Sequence, residues 1–407
     1  MLKPFEVISA ILLVAGTCIG GGMLALPLGT GLSGFVPSMC MMFLTCVMMA
    51  STGLMLIEAS LWMEGEVHMI SMVEALLGTW AKRLCWVVYL FICYGSIMAY
   101  TAAGGFMISG ISEVLFNLAL SQPIACALFI IVFGLVVDLG ARWVGRFNAI
   151  LMVALIAAYV IIVYTGLPNI QKENLLYQRW SYSLMGIPLL LTSFSFQTMA
   201  PSLTPLLKRH AGALKMAVIG GSFLTFFIYF FWESVVLGMV PAIGEGGLLE
   251  ALHSGSTATP YVIQRAPSVL LANAIAYFEI FAIITSFLGI ALGLYDFLAD
   301  GLKIPKRGVG KLKLALLIIV PTLIMTLSVR NIFLVALDLT GGFGDTVLNG
   351  MIPVCMVWVG RYAQKREGPL KVFGGKGYLA LVFLFFAGAF LMELFTQFGW
   401  LRSLYQI

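Results

Sequence analysis

The sequence predicts an all-α polytopic membrane protein of about eleven transmembrane helices, arranged as two inverted five-helix halves plus one accessory C-terminal helix. Three observations predict it. The composition is 61% hydrophobic and only 10% charged, with a mean hydropathy of +1.03, whereas a soluble domain is about 25% charged. A bilayer core about 30 Å thick takes about 20 apolar residues per helix, and windows of that size divide the 407 residues into eleven candidate spans. Two of these, the first and the sixth, carry helix-breaking residues in matching positions.

The spans run approximately over 6–29, 34–57, 85–110, 123–139, 147–166, 183–203, 214–240, 269–298, 312–329, 331–359 and 377–399. The first contains "AGTCIGGGMLALP". Each interior Gly costs a helix about 1 kcal/mol relative to Ala and Pro about 3, so a break is expected there. One Lys and a long apolar run without an A-x-A pattern mark this span as retained rather than removed. After the second span, "EVHMISMVEALLGTW" places Met69, Met72, Val73, Leu76, Leu77 and Trp80 at helical spacing, with Glu66, His68 and Glu74 interspersed. This reads as an amphipathic helix on the inner face. The sixth span, "LLLTSFSFQTMAPSLTP", packs Thr192, Ser193, Ser195, Gln197, Thr198, Pro201 and Ser202 into membrane depth. Residues 241–268 form an outer connection long enough to act as a lid, and the ninth and tenth spans divide near Arg330. Since five spans are odd in number, a second half of five enters inverted. The halves cover 1–166 and 183–360, and 361–407 holds a cytoplasmic loop and the accessory span.

Lys and Arg accumulate on the cytoplasmic side. With the N-terminus inside, 18 of the 23 Lys and Arg residues fall in inner segments; Lys172, Arg179, Arg265, Arg330 and Arg402 fall outside. The odd span count then puts the C-terminus on the periplasmic side. The net charge of +5 is thus a topology signal and points to no nucleic-acid partner.

The chemistry of an enzyme is not visible. The seven cysteines stand singly and form neither a disulfide framework nor a zinc pattern. His68, His210 and His253 lie far apart in connections, and no metal set, nucleophile elbow or phosphate-binding loop occurs. The chain reads as neither an enzyme nor an ATP-driven pump, with no cofactor. A channel or a non-transporting receptor remains as a more distant alternative, and the sequence does not fix an oligomeric state.

Non-helical backbone at membrane depth is tolerated only where protein or a water-filled cavity satisfies it, and paired broken spans are how transporters build midplane sites. A half-helix starting near Gly21 and Gly22 would point free N–H groups and a positive dipole end at a carboxylate. Freed carbonyls, with the hydroxyls of Thr17, Ser195 and Thr198, would hold an ammonium group or a cation. The residues therefore point to an amino-acid site. Close helix packing is the competing explanation for Gly16 and Gly20.

"GTCIGGGMLALP" (16–27), "SFSFQTMAPSL" (193–203), "TSFLGIALGLYDFLADGLK" (285–303) and "ALDLTGGFGD" (336–345) resemble the signature stretches of the bacterial tyrosine and tryptophan permeases. These form the hydroxy and aromatic amino acid permease family of the amino acid, polyamine and organocation superfamily. The resemblance covers the whole chain. It implies the leucine-transporter-like inverted-repeat fold, residence in the bacterial cytoplasmic membrane, and proton-driven import of an aromatic amino acid by alternating access, tyrosine first and tryptophan next.

In that fold, Gly20, Gly21, Gly22, Met23, Phe194, Phe196 and Met199 are expected near the substrate, the aromatic and thioether groups facing its ring. Tyr94 and Tyr100 would close the pocket from outside, and Gln197 would hydrogen-bond a phenolic hydroxyl. The resembling permeases often carry His where this chain has Gln197, which removes a titratable group from that position. Intramembrane carboxylates are costly and usually functional; Glu233, Glu279, Asp338 and Asp345 are the candidates, with Asp338, just before "TGGFG", the first choice as proton carrier. Asp138, Asp296 and Asp300 fall at inner helix ends and are expected to be solvated or paired with Lys and Arg. Thr285 and Ser286 resemble the hydroxyl pair that holds sodium in sodium-coupled members of the fold, so sodium symport is the nearest alternative.

Overall fold

The computed structural model describes residues 3–65, 68–255, 257–329 and 331–403. Glu66 and Arg330, invoked above, lie outside them. Pro4 opens α1 (Pro4–Cys18), a position where its missing N–H is not needed, and the Glu6 carboxylate accepts the Lys3 backbone N–H at 2.7 Å. α1 stops at Cys18, two extended residues follow, and α2 (Gly21–Thr30) restarts at an angle of 58°. The break falls within the predicted Gly run. Along α1 the buried positions are Ala10, Val14, Ala15 and Cys18, a narrow stripe that leaves the rest of its apolar surface to lipid, whereas all ten residues of α2 are buried.

The further elements are α3 (Phe35–Leu61), α4 (Met69–Leu77), α5 (Thr79–Phe116), α6 (Gln122–Asp138), α7 (Ala141–Gly166), α8 (Lys172–Leu176), α9 (Ile187–Ser193), α10 (Ala200–Leu206) and α11 (Ala211–Met239). They continue with α12 (Leu248–Ser254), α13 (Thr259–Gln264), α14 (Val269–Gly301), α15 (Val309–Ser328), α16 (Ile332–Leu339), α17 (Ile352–Trp358) and α18 (Gly375–Gln397). Among the described residues there is no strand. Among the described residues, nine helical stretches are long and apolar enough to cross a bilayer, and α1 with α2 makes a tenth. α6, in the place of the fourth predicted span, is a shorter apolar helix of 17 residues. The chain is a multi-pass helical membrane protein.

Contacts group the chain into two compact units. The first comprises Met1–Phe91, Arg179–Phe231 and Asp338–Ile407. Here the sixth span breaks: after α9, residues 194–196 are irregular, a 3₁₀ turn covers Gln197–Met199, and α10 follows with Pro201 and Pro205. Neither proline has an N–H for an i→i−4 bond. Span ten is unwound differently. Between α16 and α17, Thr340–Met351 is π-helical, a rare winding often found at functional sites. Its glycines admit neighbours: a Cβ on Gly341 would collide with the Pro188 carbonyl, on Gly342 with Glu393, and on Gly350 with Phe386. The amphipathic α4 buries Met69, Met72, Val73 and Leu76 against the end of span ten, and Gln364 donates to the Leu76 carbonyl at 3.2 Å.

The second unit comprises Ile92–Gln178 and Trp232–Leu337. α14 lies along α7 and α6. Its Phe287 meets Phe129 edge-on at 5.0 Å, and Phe278 meets Trp232 at 5.1 Å. Tyr94 donates to the Leu317 carbonyl at 2.8 Å. The 241–268 connection folds on itself through Arg265, which donates to Gly246 O at 2.6 Å and Glu245 O at 3.1 Å. Asp138 and Asp296 pair with Lys311 and Lys306, at 3.2 and 2.8 Å, as their positions at helix ends led us to expect.

Candidate functional site

The two breaks meet inside the first unit. An interrupted helix leaves four backbone N–H groups at its start and four carbonyls at its end without intrahelical partners, and α11 supplies a group that meets two of those carbonyls. The Tyr229 hydroxyl lies 2.6 Å from the Cys18 carbonyl, the last of α1, and 2.7 Å from the Ser193 carbonyl, the last of α9. Tyr229 is fully buried, and Phe194 packs edge-on against its ring at 5.1 Å. The Ser193 hydroxyl lies 2.8 Å from Leu189 O within its own helix and 3.1 Å from Gly22 O of α2. A Cβ on Gly22 would stand 3.2 Å from that hydroxyl and 3.3 Å from the Ser193 Cα. Glycine at 22 serves the close approach of two half-helices, and the same approach brings the start of α2 to the break in span six, whereas a Cβ on Gly16 would meet nothing within 4 Å.

A polar cluster borders the break. Asp345, from the π-helical stretch, accepts from Ser195 Oγ at 3.1 Å and from Asn349 Nδ2 at 2.5 Å, and Asn349 Nδ2 also reaches Ser195 Oγ at 2.8 Å. Asp345 and Asn349 are each 1% exposed. Asp345 Oδ2 and Asn349 Oδ1 are buried with no hydrogen-bond partner. Asp338, the carboxylate favoured from sequence, occupies different surroundings: its neighbouring charge is Glu393 of α18, which accepts from Gln397 at 2.7 Å.

The remaining site candidates fall in several places. Gly20, Gly21, Gly22 and Met23 are buried at the first break, while Thr17 is exposed and its hydroxyl is bonded to Leu13 O at 2.8 Å within α1. Phe196 is buried against Gly53, where a Cβ would come 2.5 Å from its ring. Gln197 is fully buried. Its Oε1 accepts the Phe196 backbone N–H at 2.9 Å, and its Nε2 donates to Met49 O at 3.0 Å and Thr52 Oγ1 at 3.1 Å. The side chain thus repairs the backbone break and ties it to α3. Thr198 is exposed. In the second unit, Tyr100 and Glu233 are buried. Thr285 bonds to Phe281 O at 2.8 Å inside α14, Ser286 beside it is half-buried, and Glu279 accepts from Thr257 of the 241–268 connection at 2.5 Å.

Sequence reasoning missed four groups. Tyr229 and Asn349 sit in apolar or Gly-rich runs that draw no attention, and Glu393 lies inside the eleventh span. Glu58 falls one residue beyond the predicted second span, yet it is 1% exposed and bound by Arg361, whose Nε and Nη2 reach its two oxygens at 2.6 and 2.5 Å. The Val372 backbone N–H adds a third bond at 2.7 Å.

Residues 3–393 match the model of the tryptophan/tyrosine permease family. The chain belongs to that family. Similar members include the tyrosine-specific transport system 1 of Haemophilus influenzae, 28% identical over 93% of this chain and 94% of the relative. The tryptophan-specific transport protein of the same organism is 29% identical over 98% of each chain. The low affinity tryptophan permease of Escherichia coli K12 is 26% identical over 94% of each. These relatives are transport proteins and permeases, not enzymes. For this family member the paired breaks, the Tyr229 contacts and the Asp345 cluster all lie within the matched region.

Proposed function

We propose that the protein imports an aromatic amino acid, tyrosine first and tryptophan next, across the bacterial cytoplasmic membrane by proton symport with alternating access. One observation carries this reading: two interrupted spans of a tryptophan/tyrosine permease lie side by side, with the carbonyl ends of α1 and α9 joined at the Tyr229 hydroxyl and the start of α2 held against Ser193 of α9. Backbone N–H groups at a helix start suit a carboxylate, and carbonyl ends suit an ammonium group. The relatives named for tyrosine and for tryptophan support an aromatic side chain on that substrate.

The same reading has eleven spans, an inverted five-plus-five repeat of the leucine-transporter type within the amino acid, polyamine and organocation superfamily, and an N-terminus facing the cytoplasm. The coupling ion is a proton, and no cofactor is involved. Counterflow in proteoliposomes tests the substrate class: labelled tyrosine should exchange against internal tyrosine and be displaced by tryptophan and phenylalanine but not by leucine. Displacement by leucine as effective as by tryptophan would contradict it.

A further inference from the structure

Inside the first unit, the break in span six is bordered by oxygen atoms that have too few donors. Asp345 offers two carboxylate oxygens, Asn349 an amide oxygen and Ser195 a hydroxyl. Of the donors present, the Ser195 O–H and the Asn349 amide are spent on Asp345 Oδ1 and on each other. Asp345 Oδ2 and Asn349 Oδ1 remain unpartnered on side chains each 99% buried by their 1% exposure, and the Thr192 hydroxyl borders the same carboxyl. A buried charge or acceptor without a partner costs several kcal/mol, and a cation is the species that relieves such a deficit of positive charge. The four side chains come from both the broken span six and the π-helical stretch of span ten, so an ion held here would tie the two together.

We propose that Asp345, Asn349 and Ser195 form a monovalent-cation site, taking a proton on Asp345 or a sodium ion among their four oxygens, and that a proton held there is the one coupled to uptake. The coupling role rests on the transport reading above; the cation site does not. Proton binding adds H⁺ to Asp345 Oδ2, which turns that orphan acceptor into a donor and removes its charge. The charged groups on the elements packed around the cluster are engaged elsewhere. Glu58 of α3 is bound to Arg361 at the end of span ten, while Glu393 of α18 is the neighbouring charge of Asp338 on α16, and α9 carries no charge. Asp338 and Glu393 are therefore the competing titratable pair, and the test must separate them from Asp345.

The experiment uses purified, full-length protein without amino acid, so it stands even if aromatic amino acids prove not to be the substrate. Acid-minus-base infrared difference spectra should show a protonated-carboxyl band that is lost in Asp345→Asn and kept in Asp338→Asn. In a parallel arm, sodium chloride against choline chloride reads thermal stabilisation; if sodium is the ion, the stabilisation appears in the parent protein and vanishes in Asp345→Asn. An unchanged band in Asp345→Asn together with no sodium effect dependent on that residue would overturn the proposal. Should Asp345→Asn fail to fold, Ser195→Ala and Asn349→Ala must displace the band or reduce the sodium stabilisation at least twofold; spectra and stability responses identical to the parent in both would overturn it equally.

Discussion

The hydroxyl of Tyr229 lies 2.6 Å from the carbonyl oxygen of Cys18, and the same hydroxyl stands 2.7 Å from that of Ser193. A single phenol on α11 thereby serves the last carbonyls of two half-helices that come from spans separated by more than 170 residues in sequence. In hydrocarbon there is no water to replace it. Tyr229→Phe keeps the ring and its packing on Phe194 but removes the one proton that the two carbonyls share. We expect a loss of about 1–3 kcal/mol in stability and at least a tenfold fall in uptake, with membrane insertion intact. Uptake rates and thermal unfolding of the reconstituted variant check both.

The approach of α2 to α9 is tight at Gly22. Gly22→Leu places its Cβ 3.2–3.3 Å from Ser193, closer than ordinary van der Waals contact, with three further carbons to accommodate. Overpacking of this kind costs about 1–3 kcal/mol, here spent on displacing the break itself. Uptake should be abolished while the protein is still recovered in the membrane fraction.

Glu58 and Arg361 form a buried bidentate pair whose side chains are 2% and 4% exposed. Removing one partner of a buried pair strands the other charge, at about 3–5 kcal/mol. Arg361→Met should therefore lower the unfolding temperature more than the double substitution Glu58→Leu with Arg361→Met, a reversal that a denaturation series on all three proteins would reveal. Equal additive losses would show that the pair is not coupled.

Thr257 binds Glu279 and thus fastens the 241–268 connection to α14. Thr257→Val removes that donor while conserving shape. Limited proteolysis within 241–268 should accelerate severalfold, and the apparent affinity for tyrosine should change if this connection acts as the lid proposed from its length. Unchanged protease sensitivity would mean that the connection is held elsewhere.

Much of this was legible in the residues. Gly and Pro at 20–22 and 27, and the hydroxyl, amide and proline content of 192–205, mark both breaks because each acts locally on the backbone. The stripe Met69, Met72, Val73, Leu76 marks α4 for the same reason. Partnerships across the fold were not legible. Nothing in the run "FFIYFFWES" sets Tyr229 apart, and Glu58 meets Arg361 across 303 positions. Asp338 drew attention for its place before the glycines. The π-helical winding of 340–351 turns each residue through a smaller angle than an α-helix, so faces projected from a 3.6-residue period drift, and Asp345 with Asn349 arrives at the break instead. Gln197 illustrates the converse: its position was apparent, but its amide is consumed by the backbone of its own break and by α3.

The central claim is that a proton gradient drives aromatic amino acid through this chain. The measurement that tests it most directly is accumulation of labelled tyrosine in sealed proteoliposomes under an imposed inward proton gradient, with no sodium present. We predict concentrative uptake that collapses on addition of a protonophore. Uptake that fails to exceed equilibration under the proton gradient, or that appears only when a sodium gradient replaces it, would contradict the account.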